Sequence, residues 1–183
     1  MAHRWLASAQ GVDASLQEVV PAAVVTLLRE PVSACVALGA NLGDAVATLR
    51  QALADIASLP HTQLLQASPF LSSAPLDADG PTYINAVVRF DTQLNAVELL
   101  QALQGLENAA GRTRDYRHAP RTLDLDLLFY GDAQMQSEYL SLPHPRWSQR
   151  AFVLLPLQEV CPEKVTPDML AAVASQATVW LES

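Results

Sequence analysis

Residues 83–91 read YINAVVRFD, and in an extended chain Ile84, Ala86, Val88 and Phe90 fall on one side while Tyr83, Asn85 and Arg89 fall on the other. The alternation predicts a strand with one face on a core and one face free for polar work. Downstream, Asn95 with Glu98 three residues later resembles a capping box that opens a helix through Leu99, Leu103 and Leu106. Gly111 ends that helix. Beyond an Arg-rich loop, TLDLDLLFYGD (122–132) predicts another strand closing in a Gly-Asp turn. Upstream, SACVAL (33–38) predicts a strand, GANLGD a turn, and Asp44 the N-cap of a helix burying Val46, Leu49, Leu53 and Ile56. A second strand is expected from about Thr62 to Phe70, stopped by Pro69 and a polar loop through Pro81. The order is then β-α-β-β-α-β, an α+β, ferredoxin-like arrangement with both helices on one face of an antiparallel sheet. Residues 143–183 add a Pro-rich loop, a short helix near Phe152 to Val160 and a terminal helix after Pro167.

Composition sets the class. With 183 residues, 50% of them apolar and 16% charged, the chain is a globule of one ordinary domain. Residues 32–183 form that domain; residues 1–31, where Pro21 interrupts a helical spacing, read as an N-terminal extension. The net charge of −8 argues against nucleic acid and anionic membrane as partners. No apolar run reaches the ~18 residues of a membrane span, and acidic residues interrupt the region where a signal peptide would be apolar. Cys35 and Cys161 lie far apart with no C-x-x-C, so they read as buried thiols of a cytoplasmic protein, not a disulfide framework. Ten of the eleven basic residues are Arg, and Arg112, Arg114, Arg117 and Arg121 crowd one short loop. A planar fork of donors suits phosphate, so a small polyanion is one reading of the loop and scattered solvated charge the other.

Asp124 and Asp126 alternate with Leu123, Leu125 and Leu127, which puts both carboxylates on one strand face with Cα atoms ~6.6 Å apart. A bare D-x-D commonly marks exposed strand residues. Beside Arg121 and the basic loop it also suits a hard divalent metal that leaves coordination sites for phosphate oxygens. Tyr83 and Asn85 share the polar side of their strand, an aromatic face to stack on a flat ring and an amide to read its edge. His144 sits between two prolines in LPHPRW, followed by Arg146, Arg150 and the second aromatic, Phe152.

Four motifs in order, VALGANLGD, YINAVV, RTRDYRHAPRTLDLDLLFYG and LPHPRWSQRAFVLLPLQEVCPE, resemble the 6-hydroxymethyl-7,8-dihydropterin pyrophosphokinase (HPPK) family of folate biosynthesis. The resemblance runs from about Ser33 to the C-terminus. It implies an ATP-dependent enzyme that passes the β,γ-diphosphoryl unit to the pterin hydroxymethyl group and releases AMP. It implies two Mg²⁺ ions on Asp124 and Asp126. It gives Arg112, Arg114, Arg117 and Arg121 roles on the triphosphate and its transition state, with His144 and Arg150 beside them and Gln104 and Glu107 on the ATP side. It lays the pterin between Tyr83 and Phe152, its edge read by Asn85, Leu76 and the backbone near Ala74. Association with other folate-pathway enzymes is left open. The chain departs from the family pattern at Ser73, Ala74, His118 and Ala119. Two other classes remain: a noncatalytic ferredoxin-like ligand-binding module, which has no need of the D-x-D face, and a metal-dependent phosphohydrolase, which would use the same aspartates with water.

Overall fold

The computed structural model describes residues 29–75, 80–111 and 122–182. In chain order the elements are β1 (Val32–Ala40), α1 (Ala45–Ala57), β2 (Thr62–Ala67), β3 (Leu71–Ser73), β4 (Tyr83–Thr92), α2 (Ala96–Ala109), β5 (Asp124–Tyr130), β6 (Met135–Gln136), β7 (Ser141–Leu142), α3 (Ala151–Val160), α4 (Pro167–Val173) and β8 (Thr178–Trp180). The main sheet runs β5-β1-β4-β3-β8, with β2 also on β4, and every pairing is antiparallel. The fold is therefore a mixed one, an antiparallel sheet packed by helices.

The helix ends follow local chemistry. Asp44 accepts from Ala47 N at 2.9 Å and starts α1. At α2 the capping box is complete: Asn95 Oδ1 accepts from the Val97 and Glu98 amides, and Glu98 Oε2 accepts from Asn95 N at 2.7 Å. Gly111 follows α2 at φ +84°, a left-handed conformation open to glycine without strain. The helix expected after Pro167 is α4, with that proline in its first turn and the Thr166 hydroxyl as cap.

The expected single strand from Thr62 to Phe70 is instead two strands on the same edge of β4. β2 pairs with Val88–Thr92 and β3 with Tyr83–Asn85. Between them Ser68 puts its own side chain into the ladder, Oγ accepting from Val87 N at 3.0 Å, and Pro69 has no N–H to offer. Pairing resumes only at Leu71. Three strands were not foreseen: the two-residue pair β6-β7 and β8, which adds to β3.

Two apolar layers sandwich the sheet. On one face Leu49, Ala52 and Ile56 of α1 and Leu99 and Leu103 of α2 meet Val36, Leu38, Ala86, Val88, Phe90, Leu125 and Leu127; each fully buried large side chain is worth about 1.5–3 kcal/mol. On the other face Val153, Leu157 and Val160 of α3 cover Cys35, Val87, Leu128 and Phe129. Phe129 reaches that second face because the β1–β5 register shifts: Val36 pairs with Leu127 but Cys35 with Phe129, leaving Leu128 as an extra residue. Without the bulge Phe129 would point toward α1 and α2 like Leu127. After β5 the chain turns at Gly131, φ +52°, where an added Cβ would stand 3.0 Å from Val32 Cγ1.

Candidate active site

The site is built on the polar face of β5, at its N-terminal end. Asp124 and Asp126 lie opposite Gly39 and Ala37 of β1, residues too small to cover them, and both carboxylates are partly exposed while Leu123, Leu125 and Leu127 are buried in the core. The loop after β7 is drawn to this face by the backbone, His144 N donating to Leu128 O at 3.0 Å. His144 Nε2 then lies 4.0 Å from Asp126 Oδ2, and Arg150, at the N-cap of α3, brings Nη1 to 3.8 Å from the same oxygen. His144 Nδ1 accepts from Arg146 N at 3.3 Å, so the neutral ring carries its proton on Nε2, the nitrogen turned to the carboxylate. Burial holds the imidazole pKa below its ordinary value, opposed by Asp126 and assisted by Arg150 and Arg146. Asp126, His144, Leu100, Tyr139 and Ser141 line a cavity of about 270 Å³.

A second cavity, about 160 Å³, lies at the start of α3 and is lined by Ser73, Ala74, Pro75, Phe152, Gln176 and Thr178. Arg150 joins the two sites: its guanidinium carbon lies 5.5 Å from the Phe152 ring centroid, while its nitrogen faces Asp126. Gln176 fixes the start of α3, Oε1 accepting from Ala151 N at 2.8 Å and Nε2 donating to Gln149 O at 2.9 Å. Nothing local in the sequence marks Gln176. The β-branched and aromatic run Thr178–Trp180 was the available sign that the C-terminus returns to the sheet beside this cavity.

The expected residues that fall within the described part of the chain have definite places. Tyr83 begins β4, half-buried, in register with Ser73. Asn85 is 3% exposed, and its Nδ2 donates to Ser73 Oγ at 3.0 Å and Leu71 O at 3.2 Å. Its donor group therefore holds β3 in place, and Gly39 leaves room beside its Oδ1, an added Cβ there standing 3.5 Å away. Gln104 is exposed on α2 one turn before Glu107. Glu107 is 2% exposed, and its Oε1 accepts from Leu125 N at 2.9 Å, between the two aspartates in sequence. Leu76, Arg112, Arg114, Arg117, Arg121, His118 and Ala119 lie outside the described residues.

The donor set fits a hard, oxygen-seeking cation. Two carboxylates share a face, and among the described residues no group of three or more His, Cys, Asp or Glu side chains forms a closed cage. Mg²⁺ bound by one or two carboxylates, with water and phosphate oxygens completing its shell, suits such a pair. Arg150 Nη1, 3.8 Å from Asp126 Oδ2, offsets part of the negative charge of this pair. Also among the described residues, no helix is long and apolar enough to cross a membrane.

The family model described as 7,8-dihydro-6-hydroxymethylpterin-pyrophosphokinase (HPPK) matches residues 35–162. A 2-amino-4-hydroxy-6-hydroxymethyldihydropteridine pyrophosphokinase of Haemophilus influenzae is 43% identical over 138 residues, covering 75% of this chain and 86% of that protein. The protein of the same name from Bacillus subtilis is 38% identical over 150 residues, 80% of this chain and 89% of its own. A mitochondrial folate synthesis bifunctional protein of Pisum sativum is 36% identical over 142 residues, 75% of this chain but 27% of that one. Among solved structures, a Plasmodium falciparum HPPK-DHPS superimposes with a TM-score of 0.60 at 15% identity, over 77% of this chain. The present chain spans 41% of that longer one, and the likeness is one of fold.

Proposed function

From the chain's membership of the 7,8-dihydro-6-hydroxymethylpterin-pyrophosphokinase family, whose reaction is pyrophosphoryl transfer from ATP to hydroxymethyldihydropterin in folate biosynthesis, we propose how its own residues divide the work. The observation that carries the proposal is Arg150, set between Asp126 and the Phe152 ring. One side chain faces both the acidic pair and the aromatic cavity, so a phosphate chain on the first and a flat heterocycle on the second would meet beside it.

Asp124 and Asp126 would hold two Mg²⁺ ions, which when bound would offset the charge of the triphosphate and orient it. Arg112, Arg114, Arg117 and Arg121 take the phosphate and transition-state roles implied by their motif. His144 presents an Nε2–H and Arg150 a guanidinium to the phosphate oxygens, fixed donors that need no rearrangement as charge develops. Gln104 flanks the ATP side, and Glu107 serves it by holding the strand that carries the aspartates. The pterin ring lies between Tyr83 and Phe152, with Asn85 Oδ1, the Ala74 backbone and Leu76 at its edge. Nothing here requires a covalent nucleophile, because phosphoryl transfer depends on positioning and charge.

The sheet order β5-β1-β4-β2 with α1 and α2 on one face supports reading the core as ferredoxin-like, within a domain of residues 32–183 preceded by an extension of residues 1–31. We place the enzyme in the cytoplasm, and the bifunctional character of the pea relative supports association with other folate-pathway enzymes. Incubation with ATP, Mg²⁺ and 6-hydroxymethyl-7,8-dihydropterin tests the whole assignment by nucleotide chromatography. AMP is expected one-for-one with diphosphorylated pterin and none when pterin or metal is omitted. ADP as the main product, or AMP formed equally well without pterin, contradicts it.

A further inference from the structure

The chain has two cysteines, 126 positions apart, and folding brings them together: Cys35 Sγ and Cys161 Sγ are 2.7 Å apart, buried at 5% and 2% exposure. Cys35 lies on β1, at the β1–β5 register shift and on the sheet face covered by α3. Cys161 caps the C-terminus of α3, its N–H donating to Leu157 O at 2.7 Å, just before the turn at Pro162–Lys164. Packing alone does not require sulfur here, since the rest of the cluster is Val87, Leu128, Phe129, Val153, Leu157 and Val160. Charged side chains stand beside the pair. Arg89, in register with Cys35, reaches Glu163 at 3.6 Å, both side chains partly exposed, and Lys164 Nζ lies 5.5 Å from the Phe129 ring centroid.

We propose that Cys35 and Cys161 are an oxidation site, converted by hydrogen peroxide into an intramolecular disulfide that ties β1 to the far end of α3 and is reopened by a dithiol. In the first step the Cys161 thiolate attacks a peroxide oxygen. The S–O bond forms, the O–O bond breaks, and the leaving hydroxide takes a proton to become water. In the second, Cys35 sulfur attacks the sulfenyl sulfur: the S–S bond forms, the S–O bond breaks, and the Cys35 proton leaves with hydroxide as a second water. Two electrons pass from the thiols to one peroxide. The division of roles follows the surroundings. The hydrogen bond with Cys161, in which either sulfur can donate, and burial push the Cys35 thiol up, toward keeping its proton. Cys161, sharing that hydrogen bond and with Arg89 and Lys164 nearby, has its pKa lowered toward the thiolate.

The test uses the full chain, reduced and then treated with hydrogen peroxide, denatured, alkylated with iodoacetamide and peptide-mapped. Expected are loss of both alkylatable thiols, a mass lower by two hydrogens, a cross-linked peptide pair carrying Cys35 and Cys161, and reversal by dithiothreitol. In Cys35→Ser the reaction should stop at a dimedone-reactive sulfenic acid on Cys161, and in Cys161→Ser Cys35 should stay alkylatable. Wild-type chain that keeps both thiols after peroxide, or that links only between molecules, overturns the site. A sulfenic acid on Cys35 in Cys161→Ser, with none on Cys161 in Cys35→Ser, overturns the assignment of the attacking sulfur. The wild-type peptide map decides the site even where a variant fails to fold.

Discussion

Asp126 faces Arg150 and His144 on one side of β5 while its neighbours Leu125 and Leu127 are buried on the other, so replacing the carboxylate changes charge at the site with little effect on the core. Asp124→Asn and Asp126→Asn are each expected to lower turnover by ~10³-fold, about 4 kcal/mol of transition-state stabilisation, with an unchanged circular dichroism spectrum. Activity within tenfold of wild type in both variants would contradict the proposed metal role. At this scale the sequence was legible as far as the side of a strand on which a residue falls. Period two placed Asp124 and Asp126 together and Tyr83 and Asn85 together. It could not say which partners they take. Asn85 reads from sequence as an amide for a ligand edge, yet its Nδ2 is used by Ser73 and Leu71, because β3 runs beside it. Glu107 reads as an ATP-side group, yet it is buried against Leu125 N, a contact between α2 and β5 that no local pattern encodes.

Elements with caps were legible because a cap is a local interaction, and α2 carries the most complete one. Glu98 accepts from Asn95 N and then from Arg29, which lowers its pKa below the ordinary value near 4.5. A carboxyl lowered on folding stabilises the folded chain above its unfolded pKa, and that contribution is lost as pH falls through the folded one. Wild type is therefore expected to exceed Glu98→Gln in Tm at about pH 6 and to lose that margin toward about pH 2; a constant difference across the range contradicts it. The bulge at Leu128 was not legible, and β8 showed only as the short β-branched and aromatic run Thr178–Trp180. A register shift depends on the partner strand, and three residues are too few to show a period. β8 nevertheless adjoins the aromatic cavity, since Thr178 pairs with Ser73 and both line it. Removing residues 178–183 is expected to raise KM for the pterin about tenfold, ~1.4 kcal/mol of binding, with KM for ATP unchanged. An equal rise for both substrates would show general loss of the fold instead.

Across the whole molecule, the motifs and the described sheet begin together, the family match at residue 35 and β1 at Val32. Deletion of residues 1–28 is expected to leave kcat within a few fold, and a larger loss in a soluble, cooperatively unfolding protein would assign that segment a part in catalysis. The Arg29–Glu98 ion pair, both side chains about half exposed, is screened by solvent and adds little to stability. The contact between Glu107 and Leu125 has a consequence at this scale too. Among the described residues β5 is the outermost strand at its end of the sheet, and an outermost strand is where another molecule's backbone could add itself and start a fibril. By occupying the Leu125 amide from within, Glu107 withholds one rung of that ladder on the strand that carries Asp124 and Asp126, which leaves the edge less able to take up a second copy of the chain.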